Sequence, residues 1–369
     1  MGSLREKLGR FNPRLPLDQA ETIPSLWYFD EEIYQWEKKT VFAKTWQLVG
    51  RAEQLKEPGS FITADVAGEP ILVARDKGGT LRAFSNVCRH KGARVAIQSE
   101  GKAPCFQCRY HGWTYDLSGW LRGTPEFEGV QGFRKEDHGL APLTVETWEN
   151  LVFIHQGKNP HPLTQFLSPL PEKTAELGLN KLHFVERKEY VLQCNWKVFI
   201  DNYLDGGYHV NTIHPRLAGV LDYSQYRTEI HPHSSCQLSP INSAGADKSI
   251  ASVRKGKFAH YWWVYPNLMI NIYDGVMDTN LVLPLGTDRS RVLFDFYFSE
   301  TATAEARQFI ETSMATAHQI QLEDVEICED VQRGLASSTY DTGRFSVRRE
   351  AGIHHFHCRL GQVLQDGSS

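Results

Sequence analysis

The spacing of apolar and polar positions changes several times along this chain. Residues 1 to about 25 are polar and interrupted by Pro13, Pro16 and Pro24, which predicts an irregular arm. Asp30-Glu31-Glu32 followed by Ile33, Trp36, Val41 and Phe42 predicts a capped amphipathic helix. Between about 46 and 155 the apolar runs shorten to strand length, as in residues 60–66, 71–74 and 151–154, with Pro58-Gly59 and Gly78-Gly79 as turns. That pattern predicts a small antiparallel β domain. A proline-rich span from Pro160 to Pro171 reads as a crossing to a second domain. This begins with a strand near 184–192 and a helix through Asp201–His209. Strands at 259–273, 279–285 and 291–298 and two long helices at about 301–335 and 345–363 complete it, so the fold class is α+β. The expected partition is 1–45 for the arm and helix, packed on the C-terminal domain, then 46–155 and 156–369.

Composition narrows the class. The 369 residues exceed one small core, and 41% hydrophobic with 11% aromatic content marks an ordered globular protein. A net charge of −4 without a basic run points to neither nucleic acid nor an anionic membrane as partner. The sequence has no apolar run of membrane-spanning length and no signal-peptide core, so a soluble cytoplasmic protein is expected. Seven widely spaced cysteines predict metal ligation or burial rather than a disulfide framework. Neither GxGxxG nor GxxxxGK[ST] occurs, so reducing equivalents from NAD(P)H are expected through a separate protein.

Two loops carry the first candidate chemistry. Cys88-Arg89-His90-Lys91-Gly92 and Cys108-Arg109-Tyr110-His111-Gly112 each offer one thiolate and one imidazole. That donor set suits a [2Fe-2S] cluster with Cys88 and Cys108 on one iron and His90 and His111 on the other, which raises its potential above that of an all-cysteine cluster. Gly92 and Gly112 allow the tight turns such loops need. A structural zinc site is the alternative, although its ligands more commonly pair like with like, as CxxC and HxxxH. Cys105 is read as a buried small residue.

This pair of motifs resembles the cluster-binding sequence of the Rieske non-haem iron oxygenases, and the resemblance runs from about Trp27 to Gly361. It implies a β Rieske domain followed by a helix-grip, START-like catalytic domain, a ring of three subunits, mononuclear Fe(II), O2 as co-substrate, and electrons from a separate reductase or ferredoxin.

The stretch Asp201 to Pro215 carries the second constellation. On a continuous helix Asn202, Asp205, Gly206 and His209 share a face, and His214 lies five residues on. His209 and His214 with a carboxylate would form the two-histidine, one-carboxylate triad of an Fe(II) site. Asp324 is the only charge on a stripe of Ile320, Ile327, Cys328, Val331 and Leu335, whereas Glu323, Glu326 and Asp330 fall on the solvated side. A carboxylate there costs several kcal/mol unless a cation compensates it, and the resemblance places the family's aspartate ligand similarly. Asn202 and Asp205 are the candidate catalytic side chains. Many relatives have an aspartate three residues before the first histidine, linking the iron to the neighbouring subunit's cluster. Here Gly206 holds that position and Asp205 precedes it.

On the substrate side, the aromatic segment from His260 to Tyr273 alternates so that Tyr261, Trp263 and Tyr265 share one face. With Tyr273 and Tyr203 they form a candidate cage for a quaternary ammonium group through cation–π contact. Within the family the segments 201–209 and 265–271 look most like enzymes acting on trimethylammonium compounds. The expected reaction is hydroxylation of choline to betaine aldehyde through its hydrate. The alternatives are N-demethylation of carnitine, betaine or a similar compound, aromatic-ring hydroxylation, and a Rieske electron-transfer protein without catalysis. A substrate carboxylate would call for a cation near the cage, with Arg254, Lys255 and Lys257 available in sequence. His231, His233, His354, His355 and His357 are expected to be surface or core histidines.

Overall fold

The computed structural model describes residues 2–214, 220–241 and 253–367; Pro215, which the sequence marks as a helix breaker, lies outside them. The chain forms two compact units: Phe42–Phe166, and Met1–Val41 together with Leu167–Ser369.

The first unit contains ten strands: β1 (Gln47–Arg51), β2 (Ser60–Val66), β3 (Glu69–Arg75), β4 (Leu81–Ser85), β5 (Glu100–Lys102), β6 (Phe106–Gln107), β7 (Thr114–Tyr115), β8 (Leu121–Gly123), β9 (Pro142–Trp148) and β10 (Leu151–His155). They make an antiparallel sheet in the order β1-β10-β9-β4-β3-β2-β5 and a small sheet β6-β7-β8. One core, including Phe61, Leu72, Phe84, Phe106, Trp113 and Tyr115, also encloses Cys88 and Cys108. The two cysteine loops are thereby built on a packed base.

The second unit is organised on another antiparallel sheet: β11 (His183–Leu192), β12 (Arg227–His231), β13 (Ser234–Pro240), β14 (Phe258–Val264), β15 (Leu268–Tyr273), β16 (Val276–Pro284) and β17 (Ser290–Phe298), in the order β11-β17-β16-β15-β14-β13-β12. Helices Trp196–Tyr203, Ala304–Leu335 and Ala351–Gly367 accompany it. The sequence pattern predicts one run over 259–273, but the chain turns at the cis Tyr265-Pro266 bond and returns as β15, because proline cannot donate to a ladder. Strands β12 and β13 escape the sequence reading. Their Ser, Gln and Thr content lacks a strand signature, yet Ser235, Cys236 and Gln237 are buried opposite Trp263, Trp262 and Tyr261, where small and polar side chains leave room for the rings.

The helix Trp196–Tyr203 is capped by Asn195, whose side chain accepts from Lys197 N. The Lys197 ammonium and Trp196 indole both donate to the buried Glu37 carboxylate, at 2.7 and 2.9 Å, tying this helix to the helix Glu31–Thr40. Asp201 accepts from the Tyr28 hydroxyl at 2.6 Å and from His357 Nε2 at 2.9 Å, so His357 is a satisfied core histidine.

The continuous helix expected through His209 is not present. It stops at Tyr203, and a turn follows in which Gly206 and Gly207 have φ of +69° and +73°. A short helix Val210–Ile213 resumes. The left-handed backbone favours glycine, and a Cβ on Gly206 would collide with the Arg349 carbonyl oxygen. Gly206→Ala is therefore expected to destabilise the second unit by about 3 kcal/mol or more. A depressed Tm with reduced iron content is the expected reading; an unaltered Tm would show that the turn relaxes.

Candidate metal centres and substrate cavity

The two cysteine loops close in the same way. Cys88 N donates to Ala93 O and Gly92 N to Cys88 O; Cys108 N donates to Trp113 O and Gly112 N to Cys108 O, all at 2.8–3.0 Å. Gly92 and Gly112 have φ of +76° and +74°. The cysteines are buried, His90 is half-buried and His111 exposed. The imidazole rings lie 4.6 Å apart, with His90 stacked on Trp113 at 4.8 Å. His90 Nδ1 is buried without a hydrogen-bond partner, a costly arrangement for a polar atom unless it is a ligand. The four ligand atoms do not gather about one point as those of a zinc site would; among the described residues only His209, His214 and Asp324 gather that closely. Two thiolates and two imidazoles in separate pairs fit a two-iron cluster. Cys105, expected to be buried, is half-buried.

Tyr115 escapes the sequence reading here. Its hydroxyl oxygen accepts from Arg89 N at 3.0 Å, leaving its proton for Cys88 Sγ 3.4 Å away. Burial raises its pKa, so it remains a donor. A hydrogen bond to a ligating sulfur withdraws charge and raises a cluster's potential.

In the second unit the ligand atoms of His209, His214 and Asp324 lie within 4.8 Å of one another. Asp324 Oδ1 is 3.1 Å from His214 Nε2 and 3.8 Å from His209 Nε2. Each ring turns its other nitrogen to a carboxylate: His209 Nδ1 to Asp205 Oδ2 at 2.5 Å, and His214 Nδ1 to Glu323 Oε2 at 2.6 Å. Nδ1–H donation leaves both Nε2 lone pairs for a shared ion. Asn202 Nδ2 donates to Asp324 Oδ1 at 2.8 Å. The arrangement offers two imidazoles and one carboxylate on one side, the donor set that leaves positions open at Fe(II).

Two sequence expectations change. Glu323 is not simply solvated but holds His214, from 109 residues away. Asp205, one residue earlier than the usual position, reaches His209 across the turn that holds the two left-handed glycines. It also accepts from Tyr208 N and His209 N, closing the turn that precedes the resumed helix.

A cavity opens beside the trio, lined by Asn202, Tyr203, Tyr226, Gln237, Arg254, Tyr261, Tyr273 and Asp278, among others. Tyr203, Tyr261 and Tyr273, the tyrosines of the expected cage, are among its lining residues. Trp263 and Tyr265 do not line it. Trp263 is buried against Phe356 and His355 of the C-terminal helix, with its indole N–H on Pro266 O, and Tyr265 packs edge-on to it. Strand alternation put Tyr261 and Trp263 on one face correctly, but the helix Ala351–Gly367 covers part of that face. Of the three cations considered, Arg254 reaches the cavity, whereas Lys255 lies over Phe309. Tyr226 and Gln237 were missed because they stand on or before the unrecognised strands.

A β domain with two Cys/His loops and a two-histidine, one-carboxylate site in the same chain define the Rieske non-haem iron oxygenase class. Residues 45–134 match the Rieske [2Fe-2S] domain, and residues 179–366 match the ring hydroxylating alpha subunit catalytic domain. Choline monooxygenase, chloroplastic, of Arabidopsis thaliana is 40% identical over 370 residues, covering 96% of this chain and 86% of the relative. The carnitine monooxygenase oxygenase subunit of Escherichia coli (strain K12) is 30% identical over 361 residues, covering 94% and 95%. The crystal structure of the quaternary ammonium Rieske monooxygenase CntA with L-carnitine superposes with a TM-score of 0.81 at 29% identity, covering 96% and 97%. Naphthalene 1,2-dioxygenase, 19% identical with a TM-score of 0.79, shares the fold. The chain belongs to the Rieske non-haem iron oxygenases, with a [2Fe-2S] Rieske domain and a mononuclear iron catalytic domain; an external reductase is typical of this family. No helix among the described residues is long and apolar enough to cross a membrane.

Proposed function

We propose that the chain is a monooxygenase that hydroxylates a C–H bond of a small quaternary ammonium compound. The observation that carries this reading is the cavity lined by tyrosines, Tyr203, Tyr226 and Tyr261 among them, together with His209, His214 and Asp324. Tyrosine faces attract a quaternary ammonium that cannot donate hydrogen bonds, and the adjoining trio would hold the oxidising metal. Relatives named for choline and carnitine support the same substrate class.

In this reading Cys88, His90, Cys108 and His111 hold the cluster, and His209, His214 and Asp324 hold Fe(II). Bound there, the metals supply O2 activation and single-electron transfer. Hydroxylation of one C–H bond takes one O2, two electrons and two protons and yields the alcohol and water. Asn202 keeps Asp324 oriented, while Asp205 and Glu323 fix the ring positions of His209 and His214. Hydroxylating choline would give betaine aldehyde hydrate; hydroxylating an N-methyl group would give a carbinolamine that releases formaldehyde.

The electron route, the homotrimer, the reductase or ferredoxin partner and the cytoplasmic location belong to the same proposal. Seven unpaired thiols suit a reducing compartment, although the plant relatives are named chloroplastic; cell fractionation and light scattering test location and trimer. Asp205, on the second carboxylate contact of His209, is the candidate for the link to a neighbouring cluster. Asp205→Asn is expected to lower turnover by about 10–100-fold with cluster and iron content unchanged; full turnover would move the route elsewhere.

The substrate class is tested by titrating the iron-loaded enzyme anaerobically with quaternary ammonium compounds and with an aromatic panel while recording the mononuclear iron spectrum. A response to ammonium compounds alone is expected. A response confined to neutral aromatics would overturn the reading.

A further inference from the structure

Arg254 is a cationic side chain in the cavity that the functions assigned so far do not use. It is buried, with 7% of its surface exposed, and it lines the same cavity as the metal-binding trio. Its guanidinium lies over the Tyr273 ring, 4.3 Å from the centroid. Its Nε is buried without a hydrogen-bond partner, and no carboxylate among the described residues lies within ion-pair distance. Arginine keeps its charge in proteins, so among the described residues this is a buried cation without a side-chain ion-pair partner. Such a group is strongly unfavourable unless an anion arrives with a ligand.

Among the described residues, the carboxylate that acts on Arg254 is Asp278. Its Oδ2 accepts from Asn271 Nδ2 at 2.7 Å and Asn280 Nδ2 at 3.0 Å, and Asn271 in turn accepts from the Tyr203 hydroxyl at 2.7 Å. Asp278 is thus engaged with amides rather than with Arg254. Burial raises its pKa, against Arg254 and the two amides, which further limits the negative charge it can offer.

We propose that Arg254 is a carboxylate subsite, and that the enzyme prefers zwitterionic quaternary ammonium compounds carrying a carboxylate over choline. The inference rests on the quaternary ammonium reading above. A carboxylate meets the guanidinium fork with two charge-assisted hydrogen bonds, while the ammonium end stays among the remaining tyrosine faces. A bare cation such as choline leaves the guanidinium unpaired, and it finds the face of Tyr273 already occupied by a like charge. Selectivity then comes from an unsatisfied buried group in the wrong complex as much as from contacts in the right one.

The test is calorimetric binding of choline, glycine betaine, carnitine and γ-butyrobetaine to the anaerobic iron-loaded enzyme and to Arg254→Gln and Arg254→Lys. The native enzyme is expected to bind at least one carboxylate-bearing compound roughly 10-fold or more tighter than choline. Arg254→Gln should weaken that compound by roughly 100-fold and close the gap to choline, with Arg254→Lys between. Choline binding as tightly as every zwitterion, or equal losses for choline and zwitterions in Arg254→Gln, would make Arg254 a wall residue and overturn the subsite while the ammonium reading stands. Failure of all four compounds to bind the native enzyme would overturn both. The native comparison decides the matter even where a variant does not fold.

Discussion

Asp324→Ala is expected to purify with an intact cluster spectrum but about two irons per chain in place of about three, and to lose turnover by on the order of 10³-fold. That magnitude follows because a bound metal contributes several kcal/mol to the reaction it promotes, and each 1.4 kcal/mol is about tenfold. Asp324 is the only carboxylate gathered with His209 and His214 among the described residues, so no neighbour is placed to replace it. Glu323, the next residue, already accepts from the far nitrogen of His214. Metal analysis with visible spectroscopy checks the outcome. Full iron content in this variant would remove Asp324 from the site.

Cys108→Ser is the complementary loss. It is expected to abolish the cluster's visible absorption and reduce reductase-driven turnover to background, on the order of 10³-fold or more, because the second electron for each hydroxylation has no other source in the chain. The mononuclear iron should remain, since the two metal sites stand on separate compact units. Cys108 is part of the buried core around Phe106 and Trp113, so a moderate fall in stability accompanies cluster loss. Cys105→Ser, at the half-buried neighbouring thiol, is expected to keep both spectrum and activity. Loss of the cluster in the Cys105 variant would mean that the wrong thiolate has been assigned.

The cluster loops were legible from sequence because each is local: thiolate, imidazole and turn glycine fall within five residues, and the structure closes both loops with the same two backbone bonds. Asp324 was legible for a different reason, as a lone charge on an apolar helical stripe. What the sequence hid was set by contacts between distant segments. Glu323 reads as solvated by helical spacing, yet His214 comes from another element to meet it. Trp263 reads as a cage residue by strand alternation, yet the C-terminal helix covers it. The buried strand Ser234–Pro240 is too polar to read as one, because its side chains accommodate aromatic neighbours rather than supply apolar area.

The turn at Asp205-Gly206-Gly207 shows the limit most clearly. Helical periodicity puts Asn202, Asp205 and His209 on one face, and these residues do converge, but through a broken helix and not a continuous one. Asn202 reaches Asp324 from the last turn of the helix, whereas Asp205 reaches His209 across a turn in which the backbone is left-handed. The adjacent glycines Gly206 and Gly207 are the sequence signal for that break, since each costs about 1 kcal/mol relative to alanine inside a helix.

Two-electron reduction of O2 by the two metal sites together, with one oxygen atom entering a substrate C–H bond, is the reaction proposed for this chain. Its most direct test is a single turnover: the enzyme is reduced, freed of reductant, and exposed to O2 with and without a quaternary ammonium substrate. The account predicts reoxidation of the cluster that depends on substrate, with about one hydroxylated product formed per mononuclear iron. Cluster reoxidation without product, at the same rate whether or not substrate is present, would contradict it and leave an electron carrier.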